Sequence, residues 1–218
     1  RAIRALSDQV KGHARDIVDR MLAGVQALGR NRDDLRIILV QLVNLLRGGK
    51  PVAMSTRAGE FVTLREVLDE VGKDAARFLF LTRRSDSQLD FDLELAKSQS
   101  NDNPVFYVQY AYARACSILV KVKETSGRVF KPEEADFSAV EQEEEDLLLY
   151  MLNMPDVIKD AAGKYAPSVL VAALFELVSK FHSFYNKHRV ISENGEVSPK
   201  RAVLILALKK TLETCFDI

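Results

Sequence analysis

Residues 103–114 read NPVFYVQYAYAR, and the proline at position 104 predicts that a long helix begins there. Proline at the first position of a helix costs no hydrogen bond, because the first amides of a helix have no acceptor within it. The second half of the chain repeats this signal. The prolines at candidate helix boundaries are Pro104, Pro132, Pro155, Pro167 and Pro199. Their repetition predicts a bundle of roughly five helices in this half of the chain.

The first half of the chain has a different pattern. Residues 16–28 place apolar side chains at helical spacing and stop at Gly29, a residue type that commonly ends helices. Residues 37–43 then form the apolar run IILVQLV, which is rich in β-branched side chains and predicts a strand buried on both faces. Residues 48–51, GGKP, predict a turn after it. A helix followed by a buried strand indicates a small α/β element.

Helices dominate from Thr63 onward. Thr63 and Glu66 have the spacing of a capping box, and a further helix is predicted for residues 74–82 after a break near Gly72. The predicted fold class is therefore mainly α, with a helical bundle preceded by a small α/β part. We expect an α/β remnant at residues 1–60, a connecting helical segment at residues 61–100 and a helical domain at residues 101–218.

The composition limits the possible functions. The chain of 218 residues carries 31 Lys and Arg against 31 Asp and Glu, so its net charge is zero and any contact with nucleic acid must be local. Its apolar runs are shorter than the roughly 18 residues of a membrane span, and its N-terminus lacks the apolar core of a signal peptide. We therefore expect no membrane partner. Cys116 and Cys215 lack metal-ligand spacing and are predicted to be buried free thiols of a reducing compartment.

Residues 54–59 read MSTRAG and form a candidate anion site. Hydroxyls, backbone N–H groups and a guanidinium are groups that bind phosphate in proteins. The candidate ligands are Met54, Ser55, Thr56, Arg57 and Gly59. The alternative is that this segment is only a glycine-containing connection between a strand and a helix.

One face of the helix after Pro104 combines Tyr107, Tyr110 and Arg114, which are spaced i, i+3 and i+7. Such a stripe could stack on splayed bases and pair with a phosphate, as recognition of single-stranded RNA loops requires. An aromatic stripe at helical spacing is also typical of a protein core, and that alternative applies most to Tyr107.

Residues 181–189 read FHSFYNKHR and interleave aromatic with basic side chains near a helix end. Here the tyrosine could stack on a base while the cations bind phosphates. The RNA-facing candidates are Tyr185, Asn186, His188 and Arg189, whereas Phe181 and Phe184 are assigned to the core. Residues 121–131 form a basic loop between helices that contains Lys123, Arg128 and Lys131, and from the sequence alone this loop is only an exposed turn.

The acidic residues 141–146, EQEEED, are predicted to form a solvated helix face. Consecutive helical residues point in different directions, and negative charge is favourable near a helix N-terminus. A metal or acid–base site is therefore not expected there, and no metal site is predicted elsewhere.

Beside these patterns, the chain resembles the C-terminal part of bacterial arginyl-tRNA synthetases, a class I family. Residues 53–59 stand where that family has its Lys-Met-Ser-Lys-type signature, and residues 74–77, DAAR, stand where the tetrapeptide that names the anticodon-binding domain falls. Residues 89–93 and 103–114 continue the match, which covers roughly residues 20–218.

The resemblance implies an enzyme that activates arginine with ATP, accompanied by magnesium, and esterifies the arginine to its tRNA. The α/β part would be the remnant of a class I, Rossmann-like nucleotide-binding domain, and the bundle would be an anticodon-binding domain. The signature loop would stabilise the departing triphosphate, with Thr56 and Arg57 as its catalytic side chains. Ala53 and Thr56 replace the two lysines of the signature, which leaves Arg57 as its fixed positive charge.

The family's His-x-Gly-His signature is absent from this chain. The chain by itself is therefore not expected to activate arginine, and no cofactor is expected to bind to it alone. The resemblance implies tRNA for arginine as partner, arginine and ATP as ligands of the complete enzyme, and a cytoplasmic monomer. The residues implied to meet tRNA are Tyr107, Tyr110, Arg114, Lys123, Arg128, Lys131, Tyr185, Asn186, His188 and Arg189.

A second interpretation of the residues is a helical protein–protein interaction module that does not bind RNA. Tyr185 and Arg189 distinguish the two interpretations. Exposure of both side chains beside the loop from Lys123 to Lys131 favours RNA binding, whereas burial of both against Phe181 removes the proposed surface.

Overall fold

The computed structural model of the protein describes residues 2–52 and 62–218. The candidate phosphate loop at residues 54–59 lies outside the described residues. The chain forms two compact units, one made of Arg1–Leu42 with Ser85–Gln88 and the other of Val43–Arg84 with Leu89–Ile218. The predicted domain boundaries at residues 60 and 100 remain predictions.

The first unit contains the helix α1, Ala2–Ala27, and a short 3₁₀ turn, Arg32–Asp34. Gly29 has a positive φ of 74°, and the amides of Gly29 and Arg30 donate back to the carbonyls of Gln26 and Val25. This is the Schellman arrangement that satisfies the last carbonyls of a helix, so the helix ends where the sequence predicts. Arg32 pairs with Asp19 at 2.9 Å and connects the turn to the helix.

The predicted strand at residues 37–43 is wrong for most of its length. Residues 37–42 form no strand, and the side chains of Val40 and Leu42 are 75% and 84% exposed. A strand needs a hydrogen-bonded neighbour, and the pairing of this segment with its parallel neighbour begins only at Val43, opposite Leu89. Before that point, Gln41 makes one backbone hydrogen bond to Ser85, at 2.8 Å.

The second unit begins with a small sheet. The strand β1, Val43–Arg47, lies between β2, Lys50–Pro51, and β3, Leu89–Asp92. It pairs antiparallel with β2 and parallel with β3. Gly48 and Gly49 form the connecting turn with φ values of 58° and 77°, which are the positive angles that a two-residue hairpin turn requires.

Three short helices pack with this sheet: α2, Leu64–Val71; α3, Lys73–Leu81; and α4, Leu93–Lys97. The capping box is confirmed, since the Thr63 hydroxyl accepts from the Glu66 amide at 3.2 Å and the Glu66 carboxylate accepts from the Thr63 amide at 2.6 Å. Gly72 separates α2 from α3 with a φ of 83°. Leu45, Phe91 and Leu93 lie in the core between these elements.

Four long helices form the bundle: α5, Pro104–Ser126; α6, Gln142–Lys164; α7, Ser168–Lys187; and α8, Pro199–Phe216. A 3₁₀ turn, Pro132–Glu134, lies between α5 and α6. Proline begins or immediately precedes α5, α7 and α8 as predicted, and Asn103 and Ser198 cap α5 and α8 by accepting backbone amides. The largest buried side chains of the bundle include Leu147, Met154, Leu177, Phe181, Phe184, Ile205 and Leu208.

Pro155 corrects the prediction of roughly five helices. It lies inside α6 instead of beginning a helix, and Pro132 begins only a 3₁₀ turn. The helix α6 begins at Gln142 without a proline, so residues 104–218 contain four α-helices. Pro155 is exposed, whereas Leu147, Met151 and Met154 of the same helix are buried in the core. The packing of that apolar face keeps the helix continuous although proline removes one of its hydrogen bonds.

Two features of the bundle concern its apolar content. Within the described residues, the segment Pro167–Lys187 is long and apolar enough to cross a membrane, but half of it is buried inside the bundle, as in a core helix. Cys116 and Cys215 are free thiols, the first half-buried and the second buried, and burial raises the pKa of Cys215 to about 11.

Candidate nucleic-acid interface

Arg114 on α5 and Tyr185 on α7 contact each other across the two helices. The guanidinium Nη2 of Arg114 donates a hydrogen bond to the Tyr185 hydroxyl at 2.9 Å. The guanidinium carbon also lies 4.8 Å from the centroid of the Tyr185 ring, within the range of a cation–π contact. The two sequence stripes therefore meet, and they place a cation beside an aromatic ring.

An aromatic cluster continues from this pair along α5 and α7. The rings of Tyr107 and Tyr110 lie 5.3 and 6.4 Å from the imidazole of His182. Tyr107 is half-buried and also stacks on Phe175 at 6.4 Å, whereas the side chain of Tyr110 is 45% exposed. The predicted stripe thus divides into a supporting residue, Tyr107, and exposed residues, Tyr110 and Arg114.

Burial changes the ionisation of this cluster. It raises the pKa of Tyr107, with a smaller contribution from Glu176, and it lowers the pKa of His182. The lowered pKa favours the neutral form of the His182 ring, which contacts both tyrosines. Sequence analysis did not assign His182 a role, although its spacing three residues before Tyr185 places it on the same helix face.

The C-terminal end of α7 carries the second group of candidates. Tyr185 is half-buried with its ring 6.0 Å from that of Phe181, and Asn186 is exposed. The side chain of Arg189 is 69% exposed and pairs with Glu193 at 2.8 Å. Arg189 is therefore available at the surface. The ring of Tyr185 packs against Phe181 of the core, and its hydroxyl contacts Arg114.

His188 has more partners than the sequence suggests. Its Nε2 lies 3.0 Å from a carboxylate oxygen of Glu143, and its Nδ1 lies 3.4 Å from Nη2 of Arg201. Glu143 also pairs with Lys187, and the hydrogen bonds from Lys187 and His188 bring the pKa of Glu143 to about 2. The structure places this predicted RNA-facing histidine between α6 and α8, half-buried.

The basic loop between α5 and α6 is held by its own contacts. Arg128 pairs with Glu134 and lies over the ring of Phe130, with 4.4 Å between the guanidinium carbon and the ring centroid. The Lys131 amide donates to Glu134 at 2.6 Å, and this bond and Arg128 together lower the pKa of Glu134. The predicted loop is wrong at residues 121–126, which belong to α5. Lys123 therefore lies in the last turn of that helix, and Lys123, Arg128 and Lys131 are all exposed.

The helix α8 lies beside the end of α7 and beside the basic loop. Nη1 of Arg201 donates to the backbone carbonyl of Arg189 at 2.9 Å. Next to Arg201, Ala202 lines an apolar cavity of about 320 Å³ together with Arg128 and Phe130. The N-terminal half of α8 therefore holds the end of α7 and faces the basic loop across this cavity.

The prediction of a solvated acidic face is wrong at Glu144. Its side chain is buried, with 1% of the residue exposed, and it pairs with Lys200 and Arg201 at 2.6 Å each. The pairing partners lie more than 50 residues away in sequence, so local periodicity cannot reveal them. Burial alone would raise the pKa of Glu144, but the hydrogen bonds from Lys200 and Arg201 outweigh it and bring the pKa to about 2.

The turn that leads toward the candidate phosphate loop is also held by a carboxylate. Asp92 accepts hydrogen bonds from the amides of Gly48 and Gly49, at 3.0 and 2.6 Å, and it caps α4 through the Glu94 amide at 2.9 Å. Although burial opposes the effect, these amides hold the pKa of Asp92 below its ordinary value. Among the described residues, no group of three His, Cys, Asp or Glu side chains is arranged to hold a metal ion.

Comparisons with known proteins identify the family of the bundle. A family model described as the DALR anticodon binding domain matches residues 108–218. The arginine–tRNA ligase of Syntrophotalea carbinolica is 54% identical over 196 residues, which are 89% of this chain and 35% of the relative. The arginine–tRNA ligase of Desulforamulus reducens is 50% identical over 204 residues, which are 92% of this chain and 36% of the relative.

Solved structures give the same result for the fold. A crystal structure from Campylobacter jejuni, assigned as an arginyl-tRNA synthetase, superimposes with a TM-score of 0.77 at 32% identity and covers 91% of this chain and 42% of that one. The chain spans 35–36% of the length of the curated relatives named above. Because the family model covers more than half of its residues, the chain belongs to the family of DALR anticodon-binding domains that arginine–tRNA ligases carry.

Proposed function

We propose that the bundle binds the anticodon region of tRNA for arginine, and that α5 and the end of α7 form the central contact surface. The observation that carries this proposal is the contact between Arg114 and Tyr185, with the exposed ring of Tyr110 on the same helix as Arg114. An aromatic ring for a base and a guanidinium for a phosphate are thus assembled before RNA binds. Single-stranded RNA loops are recognised by this combination of groups.

The exposure of each side chain indicates its role in the proposed binding of RNA. Tyr110 and Tyr185 would stack on unpaired bases, and Arg114 and Arg189 would bind the flanking phosphates. Asn186 is exposed and would form hydrogen bonds with a base edge. Tyr107 supports the cluster from the core side.

The neighbouring segments would extend this contact. Lys123, Arg128 and Lys131 would contact the phosphate backbone beyond the loop, since backbone contacts position an RNA without reading its sequence. His188 would orient the end of α7 through its contacts with Glu143 and Arg201.

The test is direct binding of this chain to a tRNA transcript for arginine and to the same transcript with a changed anticodon, at about 150 mM salt, where diffuse electrostatic attraction is screened. We expect tighter binding of the intact anticodon. Tyr185→Ala should weaken binding of the intact transcript about tenfold or more, because stacking on one base contributes about 1–3 kcal/mol. Arg114→Ala should weaken both transcripts, because phosphate contacts are independent of sequence.

Lys159→Ala is the matched control for the loss of one positive charge. Lys159 is an exposed cation of the bundle, 77% exposed, and pairs with Asp156. Its substitution should leave the preference unchanged. Equal affinity of the unmodified chain for both transcripts would contradict the proposed function.

We further propose that the complete protein to which this chain corresponds is an arginine–tRNA ligase, cytoplasmic and monomeric, that uses arginine and ATP with magnesium. The support is the identity to the named ligases over nearly the whole chain. Met54, Ser55, Thr56, Arg57 and Gly59 would then hold the ATP phosphates, with Thr56 and Arg57 as catalytic side chains, because hydroxyls, amides and a guanidinium suit a triphosphate.

The chain alone should not catalyse arginine-dependent exchange between ATP and pyrophosphate, because the family's first signature is absent from it. The measurement is the incorporation of labelled pyrophosphate into ATP in the presence of arginine. Exchange by the chain alone would show that a catalytic site exists without that signature.

A further inference from the structure

The bundle contains a buried carboxylate that the proposed contacts with RNA do not use. Among the side chains that the structure describes, Glu144 is the charged one that lies buried in the core, with 1% of the residue exposed. A carboxylate in such a place is retained only when its oxygens are paired and hydrogen-bonded. Nζ of Lys200 lies 2.6 Å from Oε2 of Glu144, and Nε of Arg201 lies 2.6 Å from Oε1. The Glu141 amide donates a hydrogen bond to Oε2 at 3.0 Å.

Arg201 connects this carboxylate to the end of α7. Its Nε donates to Glu144 at 2.6 Å and its Nη1 donates to the carbonyl of Arg189 at 2.9 Å. Its Nη2 lies 3.4 Å from Nδ1 of His188. Because a guanidinium is planar and rigid, fixing one of its nitrogens on Glu144 fixes the directions of the other two.

The contact with Arg201 also determines the form of the His188 ring. Arginine can only donate, so Nδ1 of His188 must be the acceptor and the proton of the neutral ring must reside on Nε2. Nε2 then donates to Glu143, whose oxygen lies 3.0 Å away. The last turn of α7 is thereby held from α6 by Glu143 and from α8 by Arg201.

We propose that Glu144 is a positioning residue for RNA recognition, acting through Arg201 to fix the direction in which residues 185–189 present Tyr185, Asn186 and Arg189. This inference rests on the proposed function. It assigns sequence discrimination in part to a side chain that RNA cannot reach. Without the carboxylate charge, Arg201 loses the partner that orients it, and the carbonyl of Arg189 and the ring of His188 lose a fixed donor.

The test compares Glu144→Gln with Glu145→Gln. Both changes remove one negative charge from the same turn of α6, but Glu145 is exposed. The measurement is the ratio of affinities for the intact and the changed anticodon at about 150 mM salt. We expect Glu144→Gln to reduce this ratio about tenfold, which is about 1.4 kcal/mol of discrimination, and Glu145→Gln to leave it within about twofold.

Arg201→Lys is the second variant, because it keeps the positive charge beside Glu144 and removes the rigid fork. It should reduce the discrimination as Glu144→Gln does, and it keeps the test valid if Glu144→Gln does not fold. A second readout is the nitrogen NMR spectrum of the histidine rings at about pH 8, above the usual histidine titration range. His188 should show its proton on Nε2 in the unmodified chain and a mixture of the two neutral forms in both variants.

The outcomes separate this inference from the proposed function. If the unmodified chain does not discriminate between anticodons, the proposed function fails and the positioning role fails with it. If the unmodified chain discriminates and the folded variants retain both its ratio and its histidine spectrum, only the positioning role is overturned. Loss of thermal stability without a change in either readout would show that Glu144 is merely structural.

Discussion

The guanidinium of Arg114 lies over the ring of Tyr185 and donates to the hydroxyl of the same side chain, so one arginine makes both a cation–π contact and a hydrogen bond with one tyrosine. The pair links α5 to α7 on the face that we propose for RNA. Both contacts exist in the free protein, so a bound phosphate would have to share the arginine with the tyrosine. Their strength therefore decides how far the surface is organised in advance.

A double-mutant cycle measures that strength. Tyr185→Leu removes both the ring and its hydroxyl, and Arg114→Ala removes the cation. We expect a coupling energy of about 0.5–1 kcal/mol in the free energy of unfolding, the range for cation–π contacts at exposed sites. Urea titrations of the four proteins give the value. Additive effects of the two substitutions would show that the pair does not persist in solution.

Proline within α6 leads to a second prediction. Pro155→Ala should raise the free energy of unfolding by about 1–3 kcal/mol, because alanine can donate the helical hydrogen bond that proline lacks. Pro132→Ala is the matched control, since Pro132 begins a 3₁₀ turn where that donor is not required. Chemical denaturation measures both variants. A lower stability of Pro155→Ala would show that proline acts mainly by restricting the unfolded chain.

The third prediction concerns Gly72 and Gly163, whose replacement by alanine should change the stability of the chain in opposite directions. Gly72 combines a φ of 83° with a ψ of 151°, a region that only glycine adopts readily, so Gly72→Ala should destabilise the chain by about 1–3 kcal/mol. Gly163 lies within α6, and a Cβ added there would meet nothing within 4 Å. Gly163→Ala should therefore stabilise the chain by about 0.5 kcal/mol. Thermal unfolding of the two variants tests the contrast, and equal effects would contradict it.

The structural features that the sequence predicts correctly are set by neighbours in the chain. Pro104 and Pro199 begin helices because a capping side chain stands immediately before each. Thr63 and Glu66 satisfy each other's amides across one turn. In each case the interacting groups are fewer than five residues apart, so the residue types and their spacing contain the necessary information.

The features that the sequence does not predict depend on distant partners. The apolar run at residues 37–43 has strand-like composition, but its strand begins only where Leu89 lies opposite Val43. Glu144 looks like one acid among several, and it is buried because Lys200 and Arg201 reach it from another helix. His182 becomes part of an aromatic cluster because Tyr107 and Tyr110 of α5 lie beside its ring. These contacts are made by the tertiary fold, which a pattern within one segment does not contain.

The pairing of Glu144 predicts a fourth result, in the acid range. Its pKa is about 2 in the folded chain against an ordinary value of 4.5. The stabilisation from this lower pKa is complete at pH values above 4.5 and is lost as the pH falls toward 2, because the unfolded chain binds the proton first. The difference corresponds to about 3 kcal/mol in the free energy of unfolding.

Glu144→Gln lacks this titration, so its stability should fall less steeply than that of the unmodified chain over the same range. Urea unfolding at a series of pH values measures both slopes, with Glu145→Gln as the control that should follow the unmodified chain. Parallel curves for the unmodified chain and Glu144→Gln would show that Lys200 and Arg201 do not hold the ionised form of this carboxylate in solution.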